Sequence, residues 1–399
     1  MFSDRKVSFK TPPAALVDVR QSQSARREKA LEEQKRRRAQ RIDASRQLDL
    51  FADLTLGPSD DEGEDEGDGE PIREGVASFA SMLPESSVGP STSQPASEEA
   101  SKKGGKKKTK KRRKHKANKW AEKCMYAELL EMTEDNPWSD GLPTDLETGW
   151  VAVAPVPVGK RCLAVTHHSF GFPSAGPNTT LHSRLLGKCL LPPFPSALPP
   201  STILDCILDP NWAKNGILHV LDVIQWKGQE VGDCETAFRF WWRDTRLSEL
   251  PPTPPPPSAP SPENTAPTSY RFPYPTNLVP VPYHTDTSLT SLLTSIIPSA
   301  RVPRYLSIFL PAARSFTMDI DTQFGSNNAT QPVTFEIAPD GLLLYVVQAS
   351  YEPGTSPLSS WVPVHAYDGG GEGHLDVFER LVRRRFSRPA SVEVDMDAD

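Results

Sequence analysis

The sequence predicts an α+β protein, with one mostly antiparallel sheet domain from about residue 118 onward, preceded by a basic helix that needs a partner to order it and by disordered linkers. Three observations predict this. Short runs of β-branched and aromatic residues alternate with period two after Asn118. Residues 25–56 contain neither Gly nor Pro. The charges are gathered into blocks, although they sum to only −6 over 399 residues.

The first block, "ARREKALEEQKRRRAQRIDASRQLDLFADLTL", is built of good helix formers and has almost no apolar stripe before Leu48. A helix that is polar nearly all round has no core of its own. Its cations Arg26, Arg27, Lys35, Arg36, Arg37, Arg38, Arg41 and Arg46 ask for an acidic partner. Leu48, Phe51, Leu54 and Leu56 are spaced as in leucine-rich export signals, and equally as the apolar tail of this helix. The acidic and Ser/Pro-rich stretch that follows has linker composition. The run "KKGGKKKTKKRRKHK", Lys102 to Lys116, reads as solvated chain, as a nuclear localisation signal or as a phosphate binder.

Candidate strands are "WVAVAPV", "KRCLAVT", "TILDCIL", "ILHVLDVIQW", "ETAFRFWW", "YLSIFL" and "GLLLYVVQAS". "CMYAELLEM" and "HLDVFERLVRRRF" read as helices. With 41 prolines in the chain, the stretch from Leu250 to about Pro303, which opens "PPTPPPPSAPSP", reads as a disordered insertion in one loop. The five cysteines have no CxxC spacing and their number is odd, which indicates neither a zinc site nor a disulfide framework. His167-His168 has no third ligand nearby in sequence, so no metal or other cofactor is expected. No apolar run approaches bilayer length, and no membrane partner is expected.

The stretch "YEPGTSPLSSW" places Trp361 after a Pro/Gly-rich loop. Two roles are open to it: packing into the core at the start of a strand, or stacking on a flat ligand.

"VPVGKR" (Val156 to Arg161), "LDC" (Leu204 to Cys206) and "DGLLLY" (Asp340 to Tyr345) resemble three pocket strands of nucleic-acid ligases and messenger-RNA capping guanylyltransferases. In that fold a lysine three residues before the glycine takes the nucleotide as a phosphoramide. Here that position is Val156, which has no lone pair, and Ile207 stands where those enzymes carry a glutamate. A nucleotide pocket without its nucleophile is a binding site.

Adding the block His219 to Leu247, the "YxPGxxPLxxW" loop and the basic N-terminal helix, the chain resembles the snurportins, import adaptors for trimethylguanosine-capped small nuclear ribonucleoproteins. The resemblance implies an importin-β-binding segment (1–58), a linker (59–117), a cap-binding domain with the guanylyltransferase-like fold (118–386, carrying the insertion at about 250–303) and an acidic tail (387–399). It implies a binding protein rather than an enzyme, shuttling between cytoplasm and nucleus, with capped small nuclear RNA, importin-β and, through the leucine-rich segment, an exportin as partners. Residue by residue, Trp361 matches the tryptophan that stacks on the methylated guanine. Lys160 and Arg161 match residues near the base and phosphates, Val156 a pocket-lining position, and either Arg184 or Lys188, in the loop that follows, a second basic contact. The family's Ser-x-Trp in its first helix is replaced by Ala127 and Leu129, with Trp138 or Trp150 left to supply the missing aromatic.

Overall fold

The computed structural model describes residues 22–54, 118–132, 140–167, 178–257, 270–311, 330–366 and 372–388. The linker of 59–117, with its lysine run, and the tail from residue 389 lie outside them. The chain divides into two compact units, Met1–Ile42 with Ala117–Asp399, and Asp43–Lys116. Of the second unit, the end of the first helix is what the structure describes.

Helix α1 (Gln23–Leu54) precedes β1 (Met125–Leu129), β2 (Trp150–Pro157), β3 (Lys160–His167), β4 (Asn178–Ser183), β5 (Phe194–Pro195) and β6 (Thr202–Leu208). A short α2 (Trp212–Asn215) leads into β7 (Ile217–Trp226), β8 (Gln229–Glu230) and α3 (Thr236–Ser248). There follow β9 (Asn277–Pro280), β10 (Tyr283–His284) and a helical run made of α4 (Leu289–Ser291), a π-helical turn (Leu292–Ile296) and α5 (Ile297–Arg301). Strands β11 (Arg304–Pro311), β12 (Thr330–Ile337), β13 (Pro339–Val346) and β14 (Gly354–Pro363) precede α6 (His374–Phe386).

Strands form one sheet in the order β1-β14-β13-β2-β10 and a second, seven-stranded sheet in the order β5-β4-β3-β6-β7-β8 with β9 beside β7. A separate two-stranded ribbon pairs β11 with β12. All pairs are antiparallel except β1 with β14 and β9 with β7. The alternation of β3 explains its place in the middle of the second sheet. Cys162 and Ala164 join a core with Leu181, Val220 and Trp226, while Leu163 and Val165 join another beneath Trp120 and Tyr126. The largest core lies on the first sheet, where Trp150, Val156, Leu342 and Trp361 meet Phe240 of α3, Ile296 of the π-helical turn and Phe378 of α6. The described fold is thus the expected α+β, mostly antiparallel one. No described helix is long and apolar enough to cross a membrane.

Three readings of the sequence are corrected. "ETAFRFWW" is helical: Thr236, Arg239, Phe240, Arg243 and Leu247 are its buried side chains, a helical spacing. Two of those inward residues are arginines. Arg239 makes a bidentate pair with Asp222 (2.9 and 3.1 Å) and donates to the Ala349 carbonyl, and Arg243 donates to the carbonyls of Leu221 and Val281. "CMYAELLEM" supplies strand β1 instead of a helix, because β14 satisfies its backbone along Gly354 to Trp361. The supposed insertion of 250–303 is ordered from residue 270 onward. It adds β9 and β10 to the two sheets, and buries Leu292, Ile296, Ile297 and Ala300 against the main core. Residues 251–257 carry no regular structure, and 258–269 lie outside the described residues.

Candidate functional site

The motif residues converge where β1 lies against β14. Beneath β1, Arg161 makes a bidentate pair with Asp205, Nε to Oδ1 at 2.7 Å and an Nη to Oδ2 at 2.8 Å, and donates a third bond to the Met125 carbonyl at 3.0 Å. The Tyr351 hydroxyl donates to Asp205 Oδ2 at 2.6 Å and accepts from the Met125 amide at 2.8 Å. Asp205 has no exposed surface. Burial works against the charge on Arg161, but the Asp205 carboxylate outweighs it and holds the guanidinium above arginine's ordinary pKa. Arg161 therefore ties β3, β6 and β1 together and is committed to Asp205. The resemblance places Arg161 near the base and phosphates of the cap, and in this structure its guanidinium is paired with Asp205. Lys160, one residue earlier, is exposed.

The β2–β3 turn owes its shape to Gly159: a Cβ there would lie 2.5 Å from Ile207 Cγ2 and 2.6 Å from the Leu208 carbonyl. Val156, at the position of the missing nucleophile, is 4% exposed and packs in the main core.

Trp361 lies within β14, opposite Leu343 of β13 on one side and Leu129 of β1 on the other, and its carbonyl accepts from the Leu130 amide at 3.0 Å. Its ring rests on the backbone of Gly341, where a Cβ would come within 2.7 Å of the indole. The residue is 6% exposed, so the tryptophan read at the end of a loop is in fact a strand residue of the core. Leu129 and Ala127 stand beside it, half-buried, and Ala127 faces Ser356 across the parallel pair. The structure thus brings together Val156, Ala127, Leu129 and Trp361. A cavity of about 360 Å³ lies elsewhere, at Tyr283, His284 and Asp286 by β10, the opposite edge of this sheet.

The basic helix has found acidic partners within its own chain. Gln23 clasps β1 and its continuation: its side-chain amide donates to the Leu129 carbonyl at 3.1 Å and accepts from the Glu131 amide at 3.0 Å. Gln34 does the same with Ser350. Arg26 pairs with Glu128 at 2.7 Å, Arg41 with Asp233 and Arg37 with Glu33 and Glu352, and Arg38 donates to the Asp233 carbonyl. Arg27 is buried, its guanidinium 4.9 Å from the centre of the Trp150 ring. Lys35, Arg36 and Arg46 face solvent. The side chains of Leu48, Phe51 and Leu54, and all of Leu56, lie outside the described residues.

Trp138 also lies outside them. Trp150 is fully buried, with its Nε1 donating to Asp145, and offers no face to a ligand. Among the described residues no group of His, Cys, Asp and Glu is arranged to hold a metal ion. Reasoning from sequence missed Tyr351 as the partner of Asp205, and it missed Gln23, Gln34 and Glu128. No local signal marks these, since each acts across more than a hundred residues of chain.

Residues 133–255 match a known family model, Snurportin1, m3G cap-binding domain. The match runs across β2 to the end of α3. It covers Val156, Lys160, Arg161 and Arg184, while β1, β13 and β14 lie outside it.

Proposed function

We propose that this snurportin-like chain is a nuclear import adaptor that binds the trimethylguanosine cap of small nuclear RNA and links it to importin-β. The observation that carries the reading is the match to the m3G cap-binding domain over residues 133–255. The packing of Ala127, Leu129, Val156 and Trp361 in one core, with Lys160 exposed on the turn after Val156, supports it. A buried valine at the position of the attacking lysine argues against the alternative, a capping nucleotidyltransferase.

Two methyl groups on N2 distinguish this cap from the one on messenger RNA, and they remove both N2 donors. A wall of Ala127 and Leu129 gives those donors no acceptor. The monomethylated base would therefore strand them at about 1–3 kcal/mol per buried unpaired group. In a calorimetric titration of the full chain, the trimethylated cap dinucleotide is expected to bind at least roughly tenfold more tightly than the monomethylated one, about 1.4 kcal/mol. Equal affinities would remove the small-nuclear-RNA assignment.

The import arm of the proposal belongs to α1, and shuttling would return the adaptor through an exportin that reads Leu48 to Leu56. Reversing Arg36, Arg37 and Arg38 to glutamate is expected to abolish capture by importin-β in a pull-down, with cap affinity within about twofold of the parent. The parent's capture should weaken as salt rises, because exposed charges are screened over about 10 Å at 0.1 M. Equal loss of both activities would show that helix and domain do not act separately.

A further inference from the structure

Next to the β1 wall, and sharing Arg184 with the expected cap contacts, lies a further basic and aromatic surface. The segment from Asn118 to Tyr126 is laid on the turn that follows β4. Asn118 donates to the Gly187 carbonyl at 2.8 Å, the Glu122 amide to the Arg184 carbonyl at 3.0 Å, and the Tyr126 hydroxyl to the same carbonyl at 2.9 Å. Gly187 permits this close approach. Its φ is +60°, and a Cβ would sit 2.6 Å from the Ala121 nitrogen.

This edge alternates aromatic faces with cations. The Trp120 ring stacks on His182 at 5.3 Å with Lys119 Nζ 4.7 Å above it, and the Arg184 guanidinium lies 4.8 Å over Tyr126. Lys119, Lys123 and Lys188 are exposed, and within 118–126 they are opposed by the single carboxylate Glu122. Neither Lys119 nor Lys123 enters an ion pair among the described residues. Burial, followed by repulsion from Arg161, lowers the pKa of Arg184 from arginine's ordinary value, which marks a cation crowded by another cation. The edge is continuous with the cap wall. Tyr126 precedes Ala127 on β1, and the pairing of Cys162 with Ser183 puts Lys160 and Arg184 at the same end of the sheet.

We infer that this edge is a path for single-stranded RNA, taking the nucleotides that follow the capped end. Stacking faces interleaved with cations are what such chains need, because every base has a flat face and every link a negative phosphate. An acidic peptide would use the cations but leave Trp120 and Tyr126 idle. The inference rests on the cap-binding reading for what brings the RNA end to Trp361, and on its own geometry for the path.

The test compares three ligands on the full-length protein: trimethylated cap dinucleotide, a trimethylguanosine-capped unstructured RNA of about twelve nucleotides, and the same RNA uncapped. Each is titrated against the parent and against Lys119→Glu/Lys123→Glu, in 50 and 200 mM salt. The lysine run of residues 102–116 is present in both proteins, so it contributes equally. The capped RNA is expected to bind the parent roughly tenfold more tightly than the dinucleotide in low salt. The double variant should lose that gain, keep its dinucleotide affinity, and show a log–log salt slope for RNA smaller by about 1.4, or 0.7 per phosphate contact. The uncapped RNA should bind weakly, and more weakly still to the variant. A failure of the dinucleotide to bind would overturn the cap reading while the uncapped arm still reports on the path. Equal RNA affinities for parent and variant would overturn the path and leave this edge to a protein partner.

Discussion

Replacing Trp361 with alanine is expected to destabilise the domain by about 3–5 kcal/mol, the range for removing a large buried aromatic. The residue is 6% exposed, seated on Gly341 and flanked by Leu343 and Leu129, so the cavity left behind has rigid backbone on one side and cannot collapse freely. A stacking platform alone would behave otherwise: cap affinity would fall by about 1–3 kcal/mol and stability would hardly move. The two roles combine if the ligand takes over contacts that the ring makes with β1. Trp361→Phe separates them, because phenylalanine refills most of the volume but offers a smaller face and a weaker cation–π partner to a methylated guanine. Urea denaturation of both variants, with cap titration of the phenylalanine variant, is the measurement. A stable alanine variant would show that the indole does not belong to the core in solution. A phenylalanine variant with parental cap affinity would show that it does not stack.

What the sequence disclosed about this region follows from how far apart the interacting residues lie. Strands β2, β3, β6 and β7 carry their own apolar runs, and all four are legible as local patterns. The helix α3 is not, because its buried face includes Arg239 and Arg243 while Phe238 and Trp241 are exposed, which inverts the usual apolar stripe. Strand β1 is made of residues that favour helices, and its conformation is decided by β14, more than two hundred residues later. The helical run from Leu289 scatters Leu289, Leu292, Leu293, Ile296, Ile297 and Ala300 among Ser, Thr and Pro, so composition concealed a face packed on the core.

The candidate site was legible in the same uneven way. Val156, Lys160 and Arg161 lie on one turn and its flanking strands, so a short motif reveals them together. The motif locates Arg161 but does not disclose its pairing, because its partner Asp205 is 44 residues away and its third acceptor is the backbone of β1. For α1, the pattern of charge called for an acidic partner, expected in another protein. In this structure Glu128, Asp233 and Glu352 of the same unit fill that place, and sequence alone does not rank a partner in the same chain above one in another.

Truncating Asp205 to alanine should destabilise the protein by about 3–5 kcal/mol, because it would leave the Arg161 guanidinium buried with no carboxylate. The same pair, replaced as a whole, is expected to behave otherwise. In Arg161→Met/Asp205→Leu both charges go and apolar volume fills the space, so most of the lost stability should return. Tyr351 keeps its bonds to the Met125 amide and the Lys123 carbonyl, which leaves its hydroxyl satisfied. What the double variant does not restore is the bond from Arg161 to the Met125 carbonyl, which fixes the start of β1 and with it Ala127 and Leu129. Stability near the parent's, with cap affinity still reduced, is therefore the expected outcome of paired urea and titration measurements. If affinity recovers together with stability, the pair serves the fold alone. If the double variant is as unstable as Asp205→Ala, the buried charges are not what the single substitution exposes, and the loss lies in the packing around Met125 and Tyr351.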